Sequence, residues 1–310
     1  MYFEHKPVLL KEAVGLLNVK KNGIYVDATL GGGGYALKIL SELGNSGKLI
    51  AVDCDQEALE NFKKNFRNYK NVILVKNNFS AIKDILDSLK IKEIDGIIFD
   101  LGVSTHQLFS DPRGFSFRST SGLDMRMDRE LAVSAKDIVN TLTAEELEKI
   151  FKEFGEEKFS KRIAAKIAEE REKKEIQTAK DLVEVIEKCV PSKFKNQRIH
   201  CATRVFQALR IKVNDELENL KKSLADSINS LKKEGRIAVV AYHSLEDRIV
   251  KNVFKSMYGN CVCSKKLPQC VCGAKAALKA VTRKPVLPTE EEIKINPKSR
   301  SAKLRAAEKV

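Results

Sequence analysis

The residues best suited to chemistry cluster around a run of glycines, Gly31 to Gly34, in the first third of the sequence. Gly31-x-Gly33-x-x-Ala36 satisfies the G-x-G-x-x-A pattern of an adenosine-cofactor loop. Glycines there let a ligand approach the backbone, and the helix that follows points its first N–H groups at that ligand. Asp53 comes about 20 residues further on, where a carboxylate accepts the two hydroxyls of an adenine-linked ribose. Loop and acid together suit either a nicotinamide dinucleotide or another adenosine cofactor. Three further residues favour S-adenosylmethionine. Asp27 stands just before the loop, a carboxylate suited to an amino-acid ammonium group and badly suited to a pyrophosphate. Phe79 offers an aromatic face to adenine, and Asp100 ends an apolar run at the edge where open α/β sheets bind ligands.

These residues need strands to end them at one edge, and the surrounding pattern supplies strands. Gly23 to Thr29, Lys48 to Asp53, Val72 to Lys76 and Ile94 to Leu101 are short apolar runs. Between them, Tyr35 to Leu43, Gln56 to Phe66 and Ala81 to Leu89 carry helical spacing. Such alternation predicts a parallel sheet wound on both faces, an α/β fold. The pattern then changes. Asp111 to Asp128 has no periodicity and reads as a long functional loop. Only helices follow, over Ser134 to Asn140, Thr143 to Phe151, Glu156 to Lys173, Thr178 to Cys189 and Ala202 to Ile211. The α/β pattern resumes with a strand over Gly235 to Tyr242 and a helix over Leu245 to Met257, and short strands over Leu278 to Thr282 and Ser301 to Lys309 close the sheet. The expected organisation is one sheet domain in two parts, 1–103 and 213–310, around a helical insertion over 104–212.

The 310 residues hold 56 Lys and Arg against 42 Asp and Glu, a formal charge of +14 that asks for a polyanion without naming one. At 43% hydrophobic the chain can bury a core, so a disordered or disulfide-stapled protein is excluded. No apolar run approaches the roughly 20 residues of a membrane span, and a cytoplasmic location with no membrane partner is expected. Of seven cysteines, Cys261, Cys263, Cys270 and Cys272 form a C-V-C-x6-C-V-C cluster. Two such pairs suit either a tetrahedral zinc site or a loop of reduced thiols, and no metal is assigned.

Longer strings resemble the bacterial 16S rRNA (cytosine-N4)-methyltransferase family. They are His5-Lys6-Pro7-Val8-Leu9-Leu10-Lys11-Glu12, the VDATLGGGG loop, Asp100-Leu101-Gly102-Val103-Ser104, Arg113-Gly114-Phe115-Ser116-Phe117 and Leu123-Asp124-Met125-Arg126-Met127-Asp128. The resemblance continues through ATRVFQALRI (Ala202 to Ile211), His243-Ser244-Leu245-Glu246-Asp247-Arg248 and Asn296-Pro297-Lys298-Ser299-Arg300-Ser301. It implies a doubly wound, Rossmann-like class I methyltransferase sheet with a helical insertion after the fourth strand. It also implies S-adenosylmethionine as methyl donor and a decoding-centre cytidine of 16S rRNA, in the small subunit or a late assembly intermediate, as acceptor at N4. By position the family's cofactor contacts fall on Gly33, Gly34, Tyr35, Asp53, Phe79, Asp100 and Gln107, with Asp27 added from the loop reading. Tyr35 stands where the family usually has His, so an imidazole role is lost while the backbone N–H is kept.

Methyl transfer from a sulfonium is an in-line displacement, and a cytosine amine needs acceptors on its N–H groups to become nucleophilic. Asp100, Ser104, Asp124 and His243 are the candidate catalytic residues. Asp124 and Asp128 have the alternative of pairing with Arg126 or Arg129, and His243 that of capping the helix after it. Arg113, Arg118, Arg126, Arg204, Arg210 and Arg248 are candidates for phosphates, and Phe115 and Phe117 for stacking on an extruded base or for anchoring the loop. The segment from Lys275 to Lys309 carries ten Lys and Arg against four Glu, which suits a backbone-tracking surface. The helical insertion also offers room for a homodimer face. A dehydrogenase built on the same glycine pattern leaves Asp27 and Phe79 unexplained, and a non-catalytic RNA-binding or assembly factor leaves Asp100 and Ser104 unexplained.

Overall fold

The computed structural model describes residues 7–104, 107, 113–117, 122–191, 194, 200–259 and 275–310. The chain divides into two compact units, one made of Met1–Gly102 with Leu217–Val310 and the other of Val103–Glu216. Helix α1 (Leu10–Leu17) opens the first unit. Strands β1 (Ile24–Asp27), β2 (Lys48–Asp53), β3 (Val72–Lys76) and β4 (Ile94–Asp100) then alternate with α2 (Gly34–Glu42), α3 (Gln56–Asn65) and α4 (Ile82–Ser88).

The second unit holds α5 (Ala135–Thr141), α6 (Ala144–Gly155), α7 (Ser160–Lys173), α8 (Ala179–Cys189) and α9 (Thr203–Asn214). Capping boxes start three of these helices, Ser134 with Asp137, Thr143 with Glu146, and Thr178 with Asp181. Each box satisfies backbone N–H groups that a helix start leaves without partners. The helices enclose a core of their own that includes Leu147, Phe151, Ile163, Leu182 and Leu209.

Helix α10 (Glu216–Ser230) leads back to β5 (Leu231–Ala241), α11 (Ser244–Met257), β6 (Leu278–Ala280), α12 (Glu290–Ile295) and β7 (Lys303–Lys309). Among the described residues seven strands form one sheet in the order β3-β2-β1-β4-β5-β7-β6. The first five run parallel, as the alternating pattern predicts, whereas β7 pairs antiparallel with β5 and β6 with β7. Helices cover both faces. Leu49 and Ala51 of β2 join one cluster with Val14 and Ile39, while Ile50 and Val52 join the other with Leu86 and Leu224. Fully burying an aliphatic side chain of this kind contributes roughly 1.5–3 kcal/mol, which is why these strands read as continuous apolar runs.

Register decides what the strand ends present. Asp27 of β1 pairs with Ala51 of β2 and with Ile98 of β4. Asp53 and Asp100 lie two residues beyond those partners, so the period of two puts all three carboxylates on one face at the carboxyl end of the sheet. Asp100 in turn pairs with Val240 of β5, which places Tyr242, two residues on, toward the same face.

Candidate active site

The turn after β1 is shaped by glycine. Gly31 and Gly33 both have positive φ, 48° and 79°. A Cβ on Gly33 would come within 2.6 Å of the Phe62 ring, and one on Gly34 would overlap Pro7. Neither position accepts a side chain, so the backbone leads straight into α2, with Gly33 as its N-cap residue.

Asp27 is fully buried. Its Oδ1 accepts from the Thr29 N–H at 3.2 Å, while Oδ2 has no hydrogen-bond partner among the described residues. Burial, then the neighbouring charges of Asp100 and Asp53, push its carboxyl up to about 7. An isolated buried carboxylate is costly, and a positively charged donor at Oδ2 would remove that cost. Asp53 is aimed by backbone: its Oδ2 accepts from Gly31 N–H at 2.7 Å and its Oδ1 from Asp55 N–H at 2.8 Å.

Asp100 is half-buried at the end of β4. Its backbone N–H donates to Thr29 Oγ1 at 2.7 Å, and its Oδ1 accepts from the Tyr242 hydroxyl at 2.6 Å. Desolvation raises its carboxyl to about 7, the Tyr242 hydrogen bond pulling the other way and the Glu246 charge adding to the rise. Tyr242 went unnoticed in the sequence, where it is only the last residue of a strand. Its role depends on register between β4 and β5, and counting two residues past the Asp100 partner would have found it.

Phe79 begins a short 3-10 turn after β3 and packs edge-on against Phe99, ring centroids 5.8 Å apart. It is partly buried against the cluster on the sheet face opposite Asp27, so part of its surface is spent on the core. Tyr35 is also a core residue: its ring is buried and its hydroxyl donates to the Val8 carbonyl. The next residue of that segment, Leu9, donates its N–H to Glu292 Oε1 at 2.7 Å. The tyrosine that replaces the expected imidazole therefore ties down the segment lying over Gly34.

His243 is the N-cap residue of α11. Its Nδ1 accepts from Glu246 N–H at 3.4 Å, and Glu246 Oε2 accepts from the N–H groups of His243 (3.2 Å) and Tyr242 (2.8 Å). The imidazole Nδ1 is thus engaged in capping, while its Nε2 lies 3.0 Å from Glu246 Oε1. The structure gives His243 a helix to hold, and thereby fixes the backbone that carries Tyr242.

Arg248, a further phosphate candidate, is exposed on α11 in the first unit, and the other described candidates lie in the second. Ser104 and Gln107 bond each other reciprocally, Ser104 N–H to Gln107 Oε1 at 3.0 Å and Gln107 N–H to Ser104 Oγ at 3.2 Å. Asp124 accepts from Arg126 Nε at 2.6 Å and from its terminal nitrogen at 3.1 Å, so both carboxylate oxygens hold the loop. Asp128 Oδ1 likewise accepts from Glu130 N–H at 3.1 Å. Arg113, expected to meet phosphate, is instead buried and donates to the carbonyls of Arg126 (3.0 Å) and Met127 (2.8 Å). Phe115 is a core residue beside it, and Phe117 stacks on His200 with centroids 4.7 Å apart. Arg210 forms a two-pronged pair with Glu216 at 2.7 and 2.8 Å. Arg204 is exposed and donates to the Glu156 carbonyl at 3.0 Å. Arg118 and the cysteines 261, 263, 270 and 272 lie outside the described residues.

Residues 2–310 match the description of the MraW methylase family. The chain belongs to that family. It is also 49% identical over 310 residues, the whole of both chains, to ribosomal RNA small subunit methyltransferase H of Clostridium botulinum (strain Loch Maree / Type A3). The protein of the same name from Brevibacillus brevis is 48% identical over 309 residues, 99% of this chain and 98% of that one. Among solved structures, an rRNA methylase from Streptococcus thermophilus aligns over 98% of each chain at 12% identity and a TM-score of 0.44.

A methylase of the MraW family needs a methyl donor, and these residues fit S-adenosylmethionine. An ammonium group would give Asp27 Oδ2 the partner it lacks, and Asp53 would take ribose hydroxyls with its remaining lone pairs. Membership of a methylase family removes the dehydrogenase alternative, and Asp27 beside the glycine turn is badly placed for a pyrophosphate.

Proposed function

We propose that the protein transfers a methyl group from S-adenosylmethionine to the exocyclic N4 of a decoding-centre cytidine in 16S rRNA. The observation that carries this reading is the row of Asp53, Asp27 and Asp100 on one face of the sheet beside the glycine turn. It supplies separate acceptors for a ribose, an ammonium and a substrate N–H. Near-half identity over the full length to proteins named for small-subunit rRNA methylation supports the substrate class. A formal charge of +14 suits binding to an RNA-rich particle, a small subunit or late assembly intermediate in the cytoplasm.

S-adenosylmethionine supplies a methyl group on a positively charged sulfur. Asp27 would hold the ammonium end and Asp53 the ribose. Asp100 accepts a hydrogen bond from the N4 amine, drawing its lone pair out of the ring. As the donor's methyl passes to N4, the amine proton would pass to the Asp100 carboxylate. A carboxyl raised to about 7 is matched to that step at neutral pH, being ionised often enough to accept and basic enough to take the proton. Gly33, Gly34 and the Tyr35 N–H form the backbone wall of the donor site. Ser104 and Gln107 brace each other in the loop that leaves β4.

The test is transfer of labelled methyl to small subunits lacking the modification. Asp100→Ala is expected to abolish transfer while S-adenosylhomocysteine still binds. Near-normal turnover in that variant would remove Asp100 from the chemistry, and intact RNA binding without any transfer by the wild-type protein would favour a non-catalytic assembly factor.

A further inference from the structure

The peptide unit that joins Val8 to Leu9 is gripped at both of its polar atoms. Its carbonyl accepts from the Tyr35 hydroxyl, and its N–H donates to Glu292 Oε1 at 2.7 Å. Tyr35 belongs to α2, one residue past Gly34, whereas Glu292 belongs to α12 near the other end of the chain. Val8 and Leu9 are both buried. Leu9 adopts φ 53° and ψ 34°, a left-handed conformation that disfavours leucine and persists only where its surroundings hold it. Pro7, just before them, lies so close to Gly34 that a Cβ there would overlap its ring. The gripped peptide and its proline thus back directly onto the start of α2.

We propose that Glu292 is a positioning residue for the methyl donor, holding the Val8–Leu9 peptide as a brace against the glycine turn. The inference rests on the reading of Gly33, Gly34 and the Tyr35 N–H as the donor's backbone wall. A turn built from glycines has few side chains to hold its shape, and its N–H groups bind well only while they stay aligned. Tyr35 ties the brace to the turn, and Glu292 ties it to the C-terminal part of the sheet unit. Without that carboxylate the Leu9 N–H is a buried donor left unsatisfied, and Leu9 is drawn out of its left-handed conformation. The peptide then leaves Tyr35, Pro7 moves off Gly34, and the turn spends part of its time in other shapes. Donor affinity falls in proportion to the fraction of time the turn is correctly formed. Glu292 acts through the peptide and the turn, not on the reacting atoms.

Glu292→Ala should raise the Kd for S-adenosylhomocysteine about tenfold, the effect of a turn correctly formed about a tenth of the time. The KM for S-adenosylmethionine should rise in step, while turnover at saturating donor stays within about twofold, because bound donor restores the turn. Glu292→Gln should stay within about threefold of the wild-type Kd, since its amide oxygen accepts the same N–H. Tyr35→Phe keeps the ring but releases the other end of the peptide, and should weaken binding in the same way. Unchanged affinity in Glu292→Ala or in Tyr35→Phe overturns the inference. An equal loss in Glu292→Gln also overturns it, by assigning the effect to charge. So does a lowered melting temperature with affinity intact, which is what a purely structural contact would give. Failure of the underlying reading shows separately, as full S-adenosylhomocysteine affinity in Gly33→Ala.

Discussion

Asp27 concentrates the physical tension of the site in one side chain. It is fully buried, one oxygen has no partner among the described residues, and two further acids lie close by. Replacing it with Asn removes the charge without changing the shape. Asp27→Asn should weaken S-adenosylhomocysteine binding by on the order of 30-fold, the worth of a hydrogen bond to a charged group. The same variant, free of ligand, should melt at an equal or higher temperature than wild type at pH 8, because the buried charge is gone. Calorimetry and thermal melting check the two halves, and unchanged affinity would move the ammonium elsewhere. The pH dependence follows from the raised carboxyl. Between about pH 4 and pH 7 the folded, ligand-free protein binds more protons here than the unfolded chain, so this group's contribution to stability falls as pH rises through that window. A cationic ligand reverses the preference, and binding below pH 7 must expel a proton. At pH 6, binding heats measured in buffers of different ionisation enthalpy should reveal release of about one proton. Heats that do not depend on the buffer would contradict the pairing.

Among the elements, the β1–α2 turn is the least tolerant. Gly33 combines positive φ with a ring where its Cβ would be, so Gly33→Ala should cost about 1–3 kcal/mol in urea unfolding and weaken S-adenosylhomocysteine binding in parallel. A stable variant with full affinity would mean that the turn is not the donor's wall. Much of this element structure is legible in the sequence. β1, β2 and β4 are apolar runs closed by an aspartate, and Thr143 to Phe151 announces its helix by a capping box. What is not legible depends on register or on distant partners. Tyr242 meets Asp100 only because β4 and β5, far apart in sequence, are neighbours in the sheet. Tyr35 reads as a substitution beside a ligand, yet its hydroxyl serves the backbone of Val8. Arg113 misleads in the opposite direction. It looks like a phosphate contact in a polar loop, but two carbonyls of the same loop need its guanidinium. Composition shows what a side chain can do, and only the fold shows which demand is met first.

For the whole molecule, the sheet unit and the helical unit hold different parts of the candidate machinery. The three strand-end acids all belong to the sheet unit, whereas Asp124, Ser104 and Gln107 are engaged in bracing the loops of the second unit. The +14 charge belongs to the chain as a whole, and several arginines that resemble RNA contacts are already spent internally, Arg113 on carbonyls, Arg126 on Asp124 and Arg210 on Glu216. Under the proposed function, phosphate contacts fall to other cations, and Arg204 and Arg248, both exposed, are candidates. The decisive measurement is the position and chemistry of the transferred methyl. Small subunits lacking the modification, incubated with the protein and S-adenosylmethionine, should yield one N4-methylcytidine in the decoding centre when the RNA is digested and mapped by mass spectrometry. A methyl group on a ring carbon, on a ribose, or on a nucleotide outside the decoding centre would contradict the assignment.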